Sequence, residues 1–290
     1  MTADIAQRIR NVYATFSKSH KKLANAVLNE YEKVAEMTAA RLGRHVGISE
    51  STVVRFAYTL GFEGYAEFQR SVQDLARKKF TLNQRIDATK RRIDRRDIIE
   101  NVMESDISKI RITMENIDRD AFFASVNSII KSKTIYVTGA RGSEAIAKML
   151  QYNLALIFDN VKFVVPSSTA EVFEQIYSIG ENDTLIAFCY PRYSSKIVNA
   201  VKYAQSNKAT VIAFTDAKTS PLAEYATHLL IAQSDMASFM DSLVAPLSVI
   251  NAMIIEITNR CEKEIRQRFD RLERVWDEYE VYTKPNGTKK

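Results

Sequence analysis

The chain has 290 residues, enough for two domains with separate cores. Its composition, 46% hydrophobic and 26% charged with a net charge of +6, is that of a soluble protein; no apolar run is long enough to span a membrane, and the opening residues MTADIAQRIR lack the apolar core of a secretory signal. Two distant cysteines (Cys189, Cys261) and three scattered histidines (His20, His45, His228) argue against a disulfide framework or a metal knuckle, so the expectation is a reduced, cytoplasmic protein without metal or cofactor.

Charge is unevenly spread. Residues 1–96 carry 19 Lys and Arg against 10 Asp and Glu, whereas the remainder carries 22 against 25. A basic head on a slightly acidic body is the electrostatic footprint of a nucleic-acid-binding protein. Residues 3–16 have a weak amphipathic helical pattern. Residues 19–31 have a stronger one, with Leu23, Ala26, Val27 and Tyr31 on one face. Lys18, Lys21 and Lys22 stand at its start, against the helix dipole; a phosphate backbone lying there would relieve that conflict.

Residues 38–62, TAARLGRHVGISESTVVRFAYTLGF, read as a helix-turn-helix. Leu42 and Val46 line the first helix, and Gly47 supplies the turn. Gly43 lets the second helix cross close to the first, Ile48 fills the space between them and Ser49 caps the second. That second helix, residues 50–60, turns Val53, Phe56, Ala57 and Leu60 inward and ends at Gly61. Ser49, Ser51, Thr52 and Arg55 face outward at its start, where a recognition helix meets base edges and phosphates. Tyr65, Phe68 and Val72 mark a further inward-facing helix. Residues 1–79 thus form an all-α DNA-binding head. Residues 80–96, polar and strongly basic, are a linker with helical tendency.

From residue 97 to the C-terminus the pattern is α/β. Two helices, 97–116 and 119–130, precede short apolar runs at 134–138, 161–165, 184–188, 210–214 and 228–231. Helical stretches at 144–157, 170–178, 195–206 and 221–225 separate these runs, and a largely helical tail covers 239–279. Continuous apolar strands alternating with helices predict βαβ units and a parallel sheet flanked by helices. Residues 243–258 are apolar on several faces (Leu243, Val244, Leu247, Ile250, Met253, Ile254, Ile257), more than one sheet face needs, which predicts a surface for a second subunit, with burial in the body's own core as the alternative.

Ligands of such sheets bind beyond the carboxyl ends of the strands, at helix N-termini. Four loops occupy that edge: Gly139, Ala140, Arg141, Gly142 and Ser143; Ser167, Ser168 and Thr169; Pro191, Arg192, Tyr193, Ser194 and Ser195; and Thr215 with Asp216. Hydroxyls hold sugar and phosphate oxygens, and Arg141 and Arg192 can neutralise an anion. The candidate ligand set is Gly139, Arg141, Gly142, Ser143, Ser168, Arg192, Ser194, Ser195 and Thr215.

A helical head containing TVVRFAYTLGFEGYAEF, followed by an αβα body with hydroxyl-rich loops, resembles the RpiR/MurR-type bacterial transcriptional regulators, whose body is a sugar isomerase (SIS) domain. The resemblance covers roughly residues 17–232. It implies binding of a double-stranded operator by the head, sensing of a phosphosugar by the body, and a homodimer or homotetramer. By position, Ser143 matches the hydroxyl of the family's first loop, and Ser194 and Ser195 fall in its second phosphate loop. That loop commonly reads Ser-x-Ser-Gly-x-Thr in the isomerases; here FCYPRYSS places Cys189 or Tyr190 at the first serine, a bulkier residue at the glycine, and adds Arg192. An isomerase needs a positioned acid or base. Glu144, Glu171 and Glu174 lie near the edge but each also suits a helix first turn, and His228 begins a strand. The reading is therefore a regulator without catalytic residues; the alternative is an isomerase-like enzyme with an accessory nucleic-acid-binding head.

Overall fold

The computed structural model describes residues 5–79, 81–92, 97–234 and 239–282. Residues 3 and 4 of the expected first helix, linker residues 80 and 93–96, and residues 235–238 and 283–290 lie outside the described residues.

The head is helical. Helix α1 (Ile5–Val12) runs into a 3-10 turn, Tyr13–Thr15, so the expected single helix breaks before Phe16. Ser17 caps α2 (Lys18–Asn29) by accepting from the His20 N–H, and α3 (Tyr31–Ala35) is a separate short helix. Next come α4 (Ala39–Val46), α5 (Glu50–Thr59) and α6 (Tyr65–Lys79). Leu23, Val27, Leu42, Val53, Phe56, Phe68 and Val72 are fully buried in one core. Phe16, Phe56, Phe62 and Phe68 meet edge to face at centroid distances of 5.4–5.9 Å. Helix α6 is tied to the α3–α4 connection by side-chain donors: Tyr65 Oη and Gln69 Nε2 reach the Met37 carbonyl at 2.7 and 2.9 Å, and Gln73 Nε2 reaches that of Ala35 at 3.1 Å.

The expected linker contains a helix, α7 (Leu82–Arg92). Then follow α8 (Ile98–Asn116), α9 (Arg119–Lys131) and the alternation β1 (Thr134–Gly139), α10 (Gly142–Ile157), β2 (Val161–Val164), α11 (Thr169–Ile176), β3 (Asp183–Phe188), α12 (Ser195–Ser206), β4 (Thr210–Thr215) and β5 (His228–Ile231). Residues 221–225 form turns and not the expected helix. The tail is α13 (Val244–Arg260) and α14 (Glu262–Glu278). No helix among the described residues is long and apolar enough to cross a membrane.

All five strands are parallel, in the order β2-β1-β3-β4-β5. Alternate residues feed opposite cores. Ile135, Val137, Ile186, Phe188, Ile212 and Phe214 pack with α9, α10 and α13. Tyr136, Leu185, Ala187, Val211 and Ala213 pack with α11 and α12. The apolar helix expected to seek a second subunit is therefore largely spent inside: Ala245, Pro246, Val249, Ile250, Met253 and Ile257 of α13 are buried. The exposed apolar stripe belongs instead to α8, where Ile99, Met103, Ile107, Ile110 and Met114 recur at helical spacing.

Candidate functional site

Two places concentrate polar chemistry. The first is the start of α5. Thr38 caps α4 by accepting from the Arg41 N–H. Gly47 closes that helix in the left-handed conformation (φ 70°), and the N–H groups of Gly47 and Ile48 both turn back to the Gly43 carbonyl. Gly43 is required by contact rather than by conformation. A Cβ there would stand 2.8 Å from the Ile48 carbonyl oxygen and 3.4 Å from the Glu50 nitrogen. The two helices thus touch backbone to backbone, which sets how far α5 projects.

On α5 the structure brings four of the sequence-selected residues together. Ser49 Oγ accepts from the Thr52 N–H at 3.4 Å and lies 2.8 Å from Thr52 Oγ1 and 3.1 Å from Ser51 Oγ. Arg55 Nη2 donates to Thr52 Oγ1 at 3.2 Å. Ser49, Ser51 and Arg55 are exposed and Thr52 is half-buried, so a linked row of hydroxyls and a guanidinium faces outward. Lys21 and Lys22 lie on α2, which abuts α5 where the His20 ring sits 5.3 Å from that of Phe56. Lys22 is exposed; Lys21 Nζ lies 5.9 Å over the Tyr13 ring. Burial lowers the pKa of His20, with the Arg55 charge adding in the same direction.

The second place is the carboxyl edge of the sheet. The chain leaves β1 toward β2 and β3 toward β4, in opposite directions, so α10 and α12 cover opposite faces and a crevice opens between the first turns of these helices. A cavity of about 520 Å³ occupies it. Arg141, Gly142 and Ser143 from the β1 loop and Arg192 and Ser194 from the β3 loop line it. Arg141 and Arg192 adopt positive φ, 60° and 59°, a conformation side chains rarely take and one that costs on the order of 1–3 kcal/mol. Both arginines are exposed. Gly142, Ser143 and Ala145 of the first turn of α10 and Ser194, the N-cap of α12, line the cavity, so the positive ends of two helix dipoles stand at it.

The other four sequence-selected residues stand outside this lining. Gly139 lies beneath it: a Cβ there would come within 2.7 Å of the Ser143 carbonyl oxygen, so its role is to let α10 start against β1. Ser195 is exposed on the first turn of α12. Ser168 caps α11, accepting from the Glu171 N–H at 3.2 Å. Thr215 is buried and donates to the Cys189 carbonyl at 2.9 Å. Beneath the β3 loop, Tyr193 Oη donates to Asp216 Oδ1 at 2.8 Å, and the Ser194 N–H points to Cys189 Sγ at 3.2 Å. Burial pushes the Cys189 thiol up to about 12, which makes it an inert prop.

Residues 3–78 match the family described as a helix-turn-helix domain, rpiR family, and residues 128–256 match the SIS domain. Together the matches span more than half of the chain. The chain belongs to the RpiR-type transcriptional regulators. This regulator is 25% identical over 237 residues to an HTH-type transcriptional regulator of Haemophilus influenzae, spanning 79% of this chain and 80% of that one. Its fold is shared with the sugar isomerase domain of an RpiR transcription factor from Sphaerobacter thermophilus (TM-score 0.58, 23% identity, 61% of this chain and 99% of that one). It is shared also with the Vibrio vulnificus NanR protein complexed with ManNAc-6P (TM-score 0.59, 19% identity, 95% and 98%).

Several lining residues of this RpiR-type regulator carry no sequence signal for a site. Leu82 and Arg85 come from α7, inside a stretch whose composition says only that it is basic. Phe239, Met240, Asp241 and Leu243 precede α13 and form a partly apolar wall. Arg85 is 3% exposed and its Nη1 donates to Asp241 Oδ1 at 2.8 Å. Chain position could not link two residues 156 apart. The described residues hold no cluster of three or more His, Cys, Asp or Glu suited to a metal ion.

Proposed function

We propose that this RpiR-type regulator binds double-stranded DNA through the start of α5 and senses a phosphorylated sugar or sugar acid in the cavity between the β1 and β3 loops. The observation that carries the sensing reading is the convergence there of Arg141, Arg192, Ser143 and Ser194 on two helix N-termini. A phosphate meets amide N–H groups, hydroxyl donors and guanidiniums, while sugar hydroxyls find groups that both donate and accept. A neutral sugar would leave the guanidiniums without a counter-charge. The NanR complex with ManNAc-6P supports the same ligand class.

On the DNA side, Arg55 and the Ser49, Ser51 and Thr52 hydroxyls form the reading surface, with Lys21 and Lys22 on the phosphate backbone. One short helix reads few base pairs, so we assign a symmetric dimer on a near-palindromic site. The exposed α8 stripe is the surface we assign to the second subunit, because an apolar row along a whole helix costs free energy in water. A sensor suits the cavity better than an isomerase: its lining carboxylate among the described residues, Asp241, is bound to Arg85. The test is a thermal-shift screen of hexose and hexosamine 6-phosphates against their dephosphorylated forms, followed by calorimetry on the hits. Ser143→Ala, Ser194→Ala and Arg192→Ala are each expected to weaken binding about tenfold or more. Equal affinity for both forms, or three silent substitutions, would place the ligand elsewhere.

A further inference from the structure

Helix α7 joins the head to the body, and two consecutive residues of it reach in different directions. Gln84 Nε2 donates to Glu32 Oε1 of α3, in the head, at 2.5 Å. Arg85 enters the body, lines the sheet-edge cavity and bonds Asp241 on the opposite wall. An arginine 3% exposed is far outside the usual place for that side chain, and its charge is held there by a carboxylate that lines the same cavity.

We propose that Arg85 is an effector-binding residue supplied by the connecting helix, held by Asp241 until an anion arrives, so that occupancy of the cavity is transmitted to the DNA-binding head through α7. This rests on the reading of the cavity as an anion site. The physics is competition for one guanidinium. A phosphate entering beside Arg141 and Arg192 meets a third cation in Arg85 and a repelling carboxylate in Asp241. Its oxygens can take the fork of Arg85 bidentately, as a carboxylate does. Asp241 and a phosphate would draw on one guanidinium, whose Nη1 faces Asp241, so the ligand redistributes contacts on α7. Because Gln84 is the neighbouring residue, any shift of that turn is felt at Glu32 on the head. The coupling is reciprocal: whatever an anion does to DNA affinity, DNA does to anion affinity.

A purely structural ion pair makes a different prediction from a competing one. Removing either partner of a structural pair disturbs the same contact and moves anion affinity in the same direction. Removing the partners of a competing pair moves it in opposite directions. The experiment titrates the full chain with inorganic phosphate at constant ionic strength, by calorimetry, in wild type, Arg85→Met, Asp241→Asn, the double variant and Arg192→Ala. Arg85→Met is expected to weaken phosphate about tenfold and Asp241→Asn to tighten it several-fold. In the Arg85→Met background the Asp241→Asn gain is expected to shrink to the part that comes from removing the carboxylate's repulsion, since no guanidinium is left to release. Affinity for a duplex selected by the wild-type chain from a random pool, with and without phosphate, reads the coupling: wild type responds and Arg85→Met does not.

Should Arg85→Met fold poorly, Asp241→Asn keeps Arg85 and carries the test alone. Shifts of the same sign, or no shift in either variant while Arg192→Ala weakens phosphate, would overturn the role of Arg85 and leave the cavity reading standing. Indifference of Arg192→Ala and of both Arg85 and Asp241 variants would remove the anion site and the inference together.

Discussion

Replacing Gly43 by alanine tests whether backbone contact between α4 and α5 sets the reading surface. Two opposing effects can be estimated. Alanine in place of glycine inside a helix favours the helix by about 0.8–1 kcal/mol. Against that, the new Cβ would sit 2.8 Å from the Ile48 carbonyl oxygen, with the Ser49 carbonyl carbon and Glu50 nitrogen both at 3.4 Å. These are backbone atoms and cannot rotate away, so the turn must retreat by a few tenths of an ångström. Overpacking of this kind costs about 1–3 kcal/mol. The net expectation is a loss of up to about 2 kcal/mol in the head, together with a displaced α5. Amide exchange over residues 50–60 reads the local opening free energy without requiring the whole chain to unfold in one step. Gly47→Ala is the comparison: no atom lies within 4 Å of its Cβ, so it carries only the left-handed penalty of about 1 kcal/mol. DNA affinity is expected to drop more for Gly43→Ala than for Gly47→Ala, because only the former moves the helix. A Gly43→Ala protein with unchanged or increased protection and intact DNA binding would refute the argument.

Three further outcomes follow from the same structure. Arg55→Ala is expected to cost about 1–3 kcal/mol of specific DNA affinity, whereas neutralising Lys21 and Lys22 weakens all sequences alike and flattens the salt dependence; fluorescence anisotropy at several salt concentrations separates the two. His20 and His228 both have lowered pKa values, chiefly from burial. Since the folded state binds these protons less readily than the unfolded chain, stability is expected to fall as pH drops below the ordinary value of 6.5, and melting curves of His20→Phe between about pH 7.5 and 5.5 should be flatter than wild type. Met103→Glu with Ile107→Glu on α8 is expected to convert a dimer to monomers in sedimentation; a dimer that survives assigns the second subunit to another face.

Legibility of the sequence followed the range over which each cause acts. The turn of the head was readable because its causes are local: a cap at Ser49, a left-handed glycine at Gly47, a crowded glycine at Gly43 and an apolar set at Val53, Phe56, Ala57 and Leu60 all fall within twenty residues. The strands were readable for a similar reason, since a run buried on both faces must be apolar at every position. Residues 221–225 misled because a short run after Ser220 has the residues of a helix start without the length to continue one.

The composition and local pattern of this chain determined a basic helical head, a parallel α/β body and the hydroxyl-rich loops at the strand ends. Which of those loops meet was decided by strand order. Because β1 and β3 are neighbours whose chains depart in opposite directions, their loops open on one crevice, while the loops carrying Ser168 and Thr215 end as a helix cap and a buried bond. Tertiary structure alone also turned the apolar face of α13 inward, left that of α8 exposed and brought Arg85 to Asp241 across 156 positions of chain. Local sequence fixes the period and the caps of an element, but the partner of each face depends on packing against segments far away in the chain.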